Sequence, residues 1–255
     1  MAQLKDIVKF LDNYLKVKEI KDFSRNGLQI KGEKEVFKIA FTENASLDTF
    51  KMALKEKADL IIVHHGILWK TKYKKNPAFE KITKARINFL LKNSISLYAA
   101  HLPLDAHRIV GNNAQLLELL GAKIKTGFSK FGKKTIGLIG DFKSPIPVSK
   151  IIRILNKNLK TKCKTLLFGP SKIKTIAAAS GGGGSAVFYD ALNKKVDLYL
   201  TGEFHEVYTS AKDAKFNVIF AGHYATETVG VRALMKVVNK KFKVKTVFID
   251  DPTGL

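Results

Sequence analysis

The sequence has little cysteine, few acidic residues compared with basic ones, and no long apolar run. Its 255 residues contain one cysteine, Cys163, which excludes an intrachain disulfide framework and any metal site built from several thiolates. No apolar run approaches the roughly 20 residues of a membrane helix, and charged residues interrupt the start of the chain too often for a signal peptide. We expect a soluble, cytoplasmic protein. Any metal site must use histidine and carboxylate ligands.

The charge balance is strongly basic. There are 45 Lys and Arg residues against 22 Asp and Glu, a formal net charge of +23 at pH 7. Such an excess suits nucleic acid, anionic lipid or a phosphorylated small molecule as a partner. The lysines are scattered among helix and strand residues, which favours solvated surface charge over a functional anion footprint. Nucleic acid is therefore a less favoured partner than a small nucleotide.

Apolar strands alternate with amphipathic helices along the chain, which predicts an α/β protein with parallel or mixed sheets. The predicted strands are 36–42, 59–63, 95–100, 134–140, 164–168, 174–179, 196–200, 217–221 and 245–249. The predicted helices are the amphipathic N-terminal segment, 46–57, 78–92, 112–120, 147–159, 184–192, 203–214 and 226–240. The stretch from Gly121 to Lys134 is polar and aperiodic, so we place a boundary between two lobes there, at 1–126 and 127–255.

Histidines stand at the ends of three apolar runs. They are His64 and His65, His101, and His223. Because α/β folds bind ligands at the carboxyl ends of strands, these positions predict a common site. Asp105 and Glu227 each follow a histidine by four residues, a spacing that places both side chains on one face of a helix. Pro103 favours a turn at the first pair, with Asp105 near a helix start.

These residue types are ligands of divalent metals. Neutral imidazole and carboxylate suit zinc, iron and manganese alike, so the set does not identify the ion. The adjacent His64 and His65 can address two ions at a strand end, and a carboxylate can bridge them. The sequence therefore predicts a metal site, and a dinuclear one is favoured over a mononuclear one.

The chain resembles the dinuclear-metal-centre, Nif-three-like family, whose members are described as type 2 GTP cyclohydrolase I homologues. The resemblance rests on five motifs in order: Val63-His64-His65-Gly66, Ala100-His101-Leu102-Pro103-Leu104-Asp105, Ser180 to Ser185, Thr201-Gly202-Glu203, and Ala221 to Glu227. It implies two α/β lobes with mixed sheets, the metal site between them, and assembly as a homohexamer. It also implies metal ligands at His64, His65, Asp105, His223 and Glu227, with Glu227 bridging two divalent ions. His101 matches a position close to the metals, as a ligand or a neighbour of the ligands.

The activity implied by the resemblance is GTP hydrolysis at the guanine ring. A metal-activated water would attack carbon 8, open the imidazole ring and release formate. Glu203 or His205 could transfer protons, although the family's histidine after the Thr-Gly-acidic element is not at its usual offset. Two alternatives stay open: a regulatory or scaffold protein that binds metal without GTP chemistry, and a dinuclear phosphoesterase.

Two further segments have two interpretations each. The glycines from Gly181 to Gly184 could cradle a phosphate at a helix start, or simply allow close approach of strand and helix. The loop from Ile67 to Lys75 mixes Trp69 and Tyr73 with lysines such as Lys72. It could contact a guanine and a triphosphate, or pack its aromatics while the lysines are solvated. His107 is predicted to be a helix-start or surface residue.

Overall fold

The computed structural model describes residues 1–254, which form two compact units. Unit 1 comprises Met1–Leu104 and Val231–Asp251, and unit 2 comprises Asp105–Gly230 with the residues from Pro252. Each unit has its own mixed sheet and helices, which confirms the mixed α/β class. The chain divides at 104/105 and 230/231, whereas the sequence analysis places one division at 126/127.

Unit 1 is built on a five-stranded sheet. Its elements are β1 (Ala2–Gln3), α1 (Leu4–Tyr14), β2 (Gly27–Ile30), β3 (Glu35–Val36), β4 (Lys38–Asn44), α2 (Leu47–Lys55), β5 (Leu60–His65), α3 (Pro77–Lys92), β6 (Ser96–Ala99) and α4 (Leu102–Asp105), whose last residue opens unit 2. Short 3-10 helices cover Val17–Glu19 and Lys72–Lys75. β1 and β3 form a separate antiparallel pair.

Unit 2 contains the remaining elements except the last strand. They are α5 (Asn112–Leu120), β7 (Lys123–Phe131), β8 (Lys134–Pro147), α6 (Val148–Leu159), β9 (Lys164–Leu167), β10 (Lys172–Ala179), α7 (Gly184–Asn193), β11 (Leu198–Thr201), α8 (Tyr208–Asp213), β12 (Asn217–Phe220) and α9 (His223–Phe242). Residues of α9 from Val231 onward belong to unit 1, as does β13 (Lys245–Phe248).

Both sheets have a parallel centre with antiparallel neighbours. In unit 1 the order is β13-β4-β5-β6-β2, parallel except for β2; in unit 2 it is β7-β8-β10-β11-β12-β9, with β10, β11 and β12 parallel. The parallel strands β5, β6, β11 and β12 are buried on both faces, which explains their nearly continuous apolar sequences. Their carboxyl ends therefore meet at one edge of each sheet.

Local signals set the helix ends. Leu4, Ile7 and Leu11 form the buried stripe of α1. The Ser46 hydroxyl accepts from the backbone N–H of Thr49 and starts α2. Asn76 caps α3 and Pro77 occupies its first turn, where the missing N–H costs nothing.

Three sequence predictions differ from the structure. Residues 121–134 contain strand β7, paired antiparallel with β8, where a polar boundary was expected. The helix expected over 203–214 is only α8, Tyr208–Asp213, because the residues before it are held by contacts of Glu203 and His205. Asp105 ends the short helix α4, whereas it was expected near a helix start.

Among residues 1–254, none of the helices combines the length and apolar character needed to cross a membrane.

Candidate metal centre

Three histidines of unit 1 lie together at the carboxyl edge of its sheet. β5 ends with His64 and His65, and His101 follows the neighbouring strand β6 by two residues. One ring nitrogen of each lies within 4.8 Å of the others. Two nitrogens bound to one zinc ion are about 3–4 Å apart, so small side-chain movements suffice to bring this group around an ion. The structure thus brings together the three unit 1 histidines that the sequence analysis selected.

Each of these rings donates its Nδ1 proton to an oxygen. His64 Nδ1 lies 2.9 Å from the Ala100 carbonyl, and His101 Nδ1 lies 3.0 Å from both carboxylate oxygens of Asp22. His65 Nδ1 lies 3.0 Å from Asn44 Oδ1 and 2.9 Å from Glu43 Oε1. These oxygens can only accept, so the proton of each neutral ring is on Nδ1. Nε2 then carries the lone pair that a metal needs.

Asp22 is the centre of a polar loop that holds His101. It accepts from Asn26 Nδ2 at 2.7 Å and from the backbone N–H of Ser24 and Leu102 at 3.1 Å. Asn26 Oδ1 in turn accepts from the backbone N–H of His101 at 2.6 Å. Burial opposes ionisation of Asp22, but the hydrogen bonds from His101, Asn26 and Ser24 outweigh it and lower the carboxyl pKa. The acceptor of His101 is therefore a carboxylate.

Glu43 adds a buried negative charge beside His65. Its side chain is 2% exposed, and its Oε2 has no hydrogen-bond partner within the described part of the chain. Burying an unpartnered carboxylate oxygen is costly unless a positive charge lies close to it. This orphaned oxygen fits a metal cation in the vicinity of His65.

In unit 2, His223 and Glu227 lie one turn apart at the start of α9. His223 Nε2 is 2.9 Å from Glu227 Oε2, as their four-residue spacing predicts, and its Nδ1 donates to Glu203 Oε1 at 2.6 Å. Burial lowers the basicity of this ring, but the two carboxylates outweigh burial and raise the pKa of His223 to about 9. A cation is thus favoured between these carboxylates.

Asp105 is held by two donors of its own unit. Its Oδ1 accepts from Asn112 Nδ2 at 2.8 Å and from Ser180 Oγ at 3.1 Å. Asn112 is itself oriented, because its Oδ1 accepts from the backbone N–H of Gly230 at 2.8 Å. A carboxylate held in this way has one oriented oxygen and is pre-organised for binding.

The glycine run lies directly against these carboxylates. A Cβ on Gly181 would lie 2.0 Å from Glu227 Oε1, and one on Gly182 would lie 2.9 Å from Glu203 Oε2. Residues with a Cβ therefore cannot replace these glycines without moving the acidic side chains. Two adjacent carboxylates also oppose an anion, so the structure favours the close-approach interpretation over a phosphate cradle.

The aromatic and basic loop and the two remaining histidines, the other residues selected from the sequence, have different environments. Trp69 is half-buried, donates its indole N–H to the Gly66 carbonyl at 2.7 Å, and meets the His101 ring edge-on at 5.0 Å between centroids. The lysines of its loop at 72, 74 and 75 are exposed. His205 Nε2 accepts from the backbone N–H of Gly184 at 2.9 Å. His107 Nδ1 accepts from the backbone N–H of Ile109 and Val110, so it stabilises a turn outside the histidine cluster.

The sequence analysis missed the residues that orient the histidines and carboxylates. They are Asp22, Asn26, Glu43, Asn44, Asn112 and Ser180. Only Glu43 and Asn44 had a readable signal, because they end the strand next to β5 and stand at the same sheet edge. Asp22, Asn26 and Ser180 act across 75 or more residues, and Asn112 lies seven residues after Asp105 with no pattern that marks the contact.

The molecule is therefore a mixed α/β protein with a candidate metal centre. Oriented imidazoles and buried carboxylates near the strand ends form that centre. Its family follows from comparison: the model of the Duf34/NIF3 (NGG1p interacting factor 3) family matches residues 2–253, and the chain belongs to that family.

Individual relatives agree with this assignment. The chain is 48% identical to the GTP cyclohydrolase 1 type 2 homolog of Pyrococcus horikoshii, over 77% of each chain. It is 46% identical to the protein of the same name from Pyrococcus abyssi, over 98% of this chain and 99% of that one. The solved structure of protein ybgI, described as of unknown function, is similar with a TM-score of 0.90 and 32% identity over 100% of both chains.

Proposed function

We propose that this protein is a metal-dependent hydrolase that binds two divalent ions through His64, His65, Asp105, His223 and Glu227. The observation that carries the proposal is the shared orientation of its histidines. His64 and His65, like His101, donate Nδ1 to an oxygen, which places the lone pair of the neutral ring on Nε2. His223 donates Nδ1 to Glu203, and its Nε2 faces Glu227 at 2.9 Å. The joining of ligands from both units in one centre rests on the family resemblance.

The donor set supports borderline divalent ions. Imidazole nitrogen and carboxylate oxygen suit zinc, iron or manganese, and a thiolate is not among the proposed ligands. The orphaned Glu43 oxygen in unit 1 and the two carboxylates beside His223 in unit 2 place negative charge next to the proposed ligands of each unit. The residues present therefore fit the metals that the family resemblance implies.

Two ions, when bound, would supply Lewis acidity and a water of lowered pKa for attack on the substrate. The chain's own residues supply orientation. Asn112 and Ser180 hold one oxygen of Asp105, and Glu203 holds the Nδ1 proton of His223. Because the Glu203 carboxylate is engaged in this way, we assign it a positioning role in preference to proton transfer. His205, bonded to Gly184, stays a proposed proton-transfer residue with weaker support.

GTP is the proposed substrate. Support comes from the names of the relatives, which are called GTP cyclohydrolase 1 type 2 homologs. Within the chain, Trp69 beside His101 offers an aromatic edge to a purine, and the exposed Lys72, Lys74 and Lys75 offer charge to a triphosphate. The reaction would open the guanine imidazole ring and release formate.

A combined metal and product assay tests both parts. Protein stripped with a chelator and reloaded with zinc, manganese or ferrous iron should bind two ions per chain and release formate with a pterin chromophore from GTP. His65→Ala and Glu227→Gln should lower metal content and abolish formate release, while the matched control His107→Asn should change neither. Unchanged metal content in both site variants would refute the metal assignment. Full metal content without formate would refute the GTP reaction, and cleavage of a model phosphodiester would replace it with the phosphoesterase alternative.

A further inference from the structure

A groove of unit 1 lies between α1 and β2 and contains none of the site histidines. Its volume is about 920 Å³, within the range of ligand-binding clefts. Leu4 and Val8 of α1 and Leu28 of β2 contribute apolar side chains to its wall. Val8 and Leu28 are only partly buried, so the groove keeps accessible apolar surface.

One wall of this groove belongs to an edge strand. β2 is the last strand of its sheet and pairs only with β6. Edge strands present backbone N–H and C=O groups without ladder partners, and an extended peptide can add to them as a further strand. A helix facing an edge strand provides side-chain contacts for such a peptide. Pairing with β2 beside the groove would therefore suit an extended chain.

The rim of the groove is basic. Its lysines are Lys5, Lys9, Lys16, Lys18, Lys31 and Lys34. Asp12 and Glu19 are the two carboxylates, so 13 lining residues carry a formal excess of four positive charges. Six of 13 positions are lysine, compared with 45 lysines and arginines in 255 residues of the whole chain. This enrichment exceeds the general basic background.

The charges stand on both sides of the apolar wall. Lys5 and Lys9 lie one turn apart on α1, and Lys31 and Lys34 follow β2. The Asp12 carboxylate is engaged, because its Oδ1 accepts from the buried Tyr98 hydroxyl at 2.8 Å. An occupant whose apolar groups face the wall, and whose acidic groups lie within reach of the long lysine side chains on both sides, would complement this arrangement.

We propose that the groove between α1 and β2 docks an extended, acidic segment of a partner protein in which acidic and apolar residues alternate. Alternation places the apolar side chains on one face of an extended peptide and the acidic ones on the other. The apolar wall and the sheet edge favour a peptide over a nucleic acid. A nucleic acid would need a row of basic residues along its phosphates, and neither an apolar wall nor a strand edge. The proposal is independent of the metal centre.

Fluorescence anisotropy tests it with a labelled octapeptide that alternates glutamate and leucine, at physiological ionic strength. The full-length protein should bind this peptide and not its glutamine–leucine counterpart. The double variant Lys5→Glu/Lys9→Glu should raise the Kd at least five-fold, and Val8→Ser, which leaves all charges in place, at least three-fold. The charge-matched control Lys150→Glu/Lys157→Glu, on exposed positions of α6, should change the Kd less than two-fold.

Several results would overturn the proposal: no binding to the native protein, equal weakening by both double variants, or no effect of Val8→Ser. Equal competition by an eight-nucleotide single strand would assign the groove to nucleic acid instead. A change of molar mass in light scattering with Lys5→Glu/Lys9→Glu would make the groove an interface between copies of this chain. Metal content should be the same in all variants. A loss of peptide binding can therefore be distinguished from a loss of metal binding.

Discussion

Replacing Gly181 by alanine should disrupt metal binding through the Glu227 carboxylate. The added Cβ would lie 2.0 Å from Glu227 Oε1 and 3.1 Å from His223 Nε2. Ordinary non-bonded contact is about 3.5 Å, so the carboxylate must retreat by about 1.5 Å. Metal–ligand distances in proteins agree with their standard values to about 0.2 Å, so a carboxylate moved this far would no longer reach an ion at its proposed position. Glu227 is a proposed ligand, and since loss of a group that only orients a ligand already lowers metal affinity by about 10- to 100-fold, we expect a loss of at least ten-fold here.

Gly184→Ala is the matched control for this change. Both glycines have positive φ, +61° at Gly181 and +69° at Gly184, where an alanine costs about 1–2 kcal/mol. A Cβ on Gly184, however, would have no neighbour within 4 Å. Both variants should therefore lose similar backbone stability, but only Gly181→Ala should also displace Glu227.

Equilibrium dialysis against a competing chelator and urea unfolding measure the two effects separately. We expect about 1–2 kcal/mol lower stability of the metal-free protein in both variants. Metal affinity should fall at least ten-fold in Gly181→Ala and less than two-fold in Gly184→Ala. Equal metal affinities in the two variants would show that the glycine run does not support the carboxylate, and the reasoning would fail.

Three further predictions concern single side chains. Glu203→Ala removes the oxygen that holds His223 Nδ1 and should lower metal affinity about 10- to 100-fold. Glu203→Gln keeps an amide oxygen that can accept this proton and should recover most of the affinity. Equal losses of affinity in chelator competition would contradict the positioning role. Tyr98→Phe leaves Asp12 without its buried donor and should lower the free energy of unfolding by about 1–2 kcal/mol in urea titrations, and a change within error would mean that the bond adds no stability. Burial raises the pKa of the Cys163 thiol to about 11, so its alkylation at pH 8 should be about 100-fold slower in the folded than in the denatured protein. That rate should rise about ten-fold per pH unit up to pH 10, and a flat profile would contradict a buried thiol.

The fold was predictable where burial imposes a strong pattern. β5, β6, β11 and β12 are buried on both faces, so their sequences are apolar and their ends are visible in the chain. The histidine positions follow from the same pattern, because parallel strands end at one edge. β7 has the opposite character: it is an edge strand with mostly exposed or half-buried residues, so no apolar pattern marks it.

The ligand types were predictable, but their orientation was not. Asp22 reaches His101 across 79 residues, and Glu203 reaches His223 across 20. Such contacts depend on how loops return to the sheet edge, which local propensity does not encode. The same cause shortens the helix expected over 203–214, because contacts to Gly184 and His223 hold its first residues in a loop.

The acceptors of the four histidines give the strongest argument that these rings are more than packed core residues. A ring can be held through either nitrogen, so with equal use the choice of Nδ1 at all three rings of unit 1 would occur in roughly one of eight random cases. His223 is held through both nitrogens. The acceptors also differ in kind: a carbonyl for His64, an amide and a carboxylate for His65, and carboxylates for His101 and His223. The Nδ1 contacts of the three unit 1 rings are unrelated in kind, yet they place the lone pair of each neutral ring on the same atom, Nε2, which supports the metal binding proposed above. Because each acceptor comes from the same unit as its histidine, each unit can orient its own ligands before any ion binds.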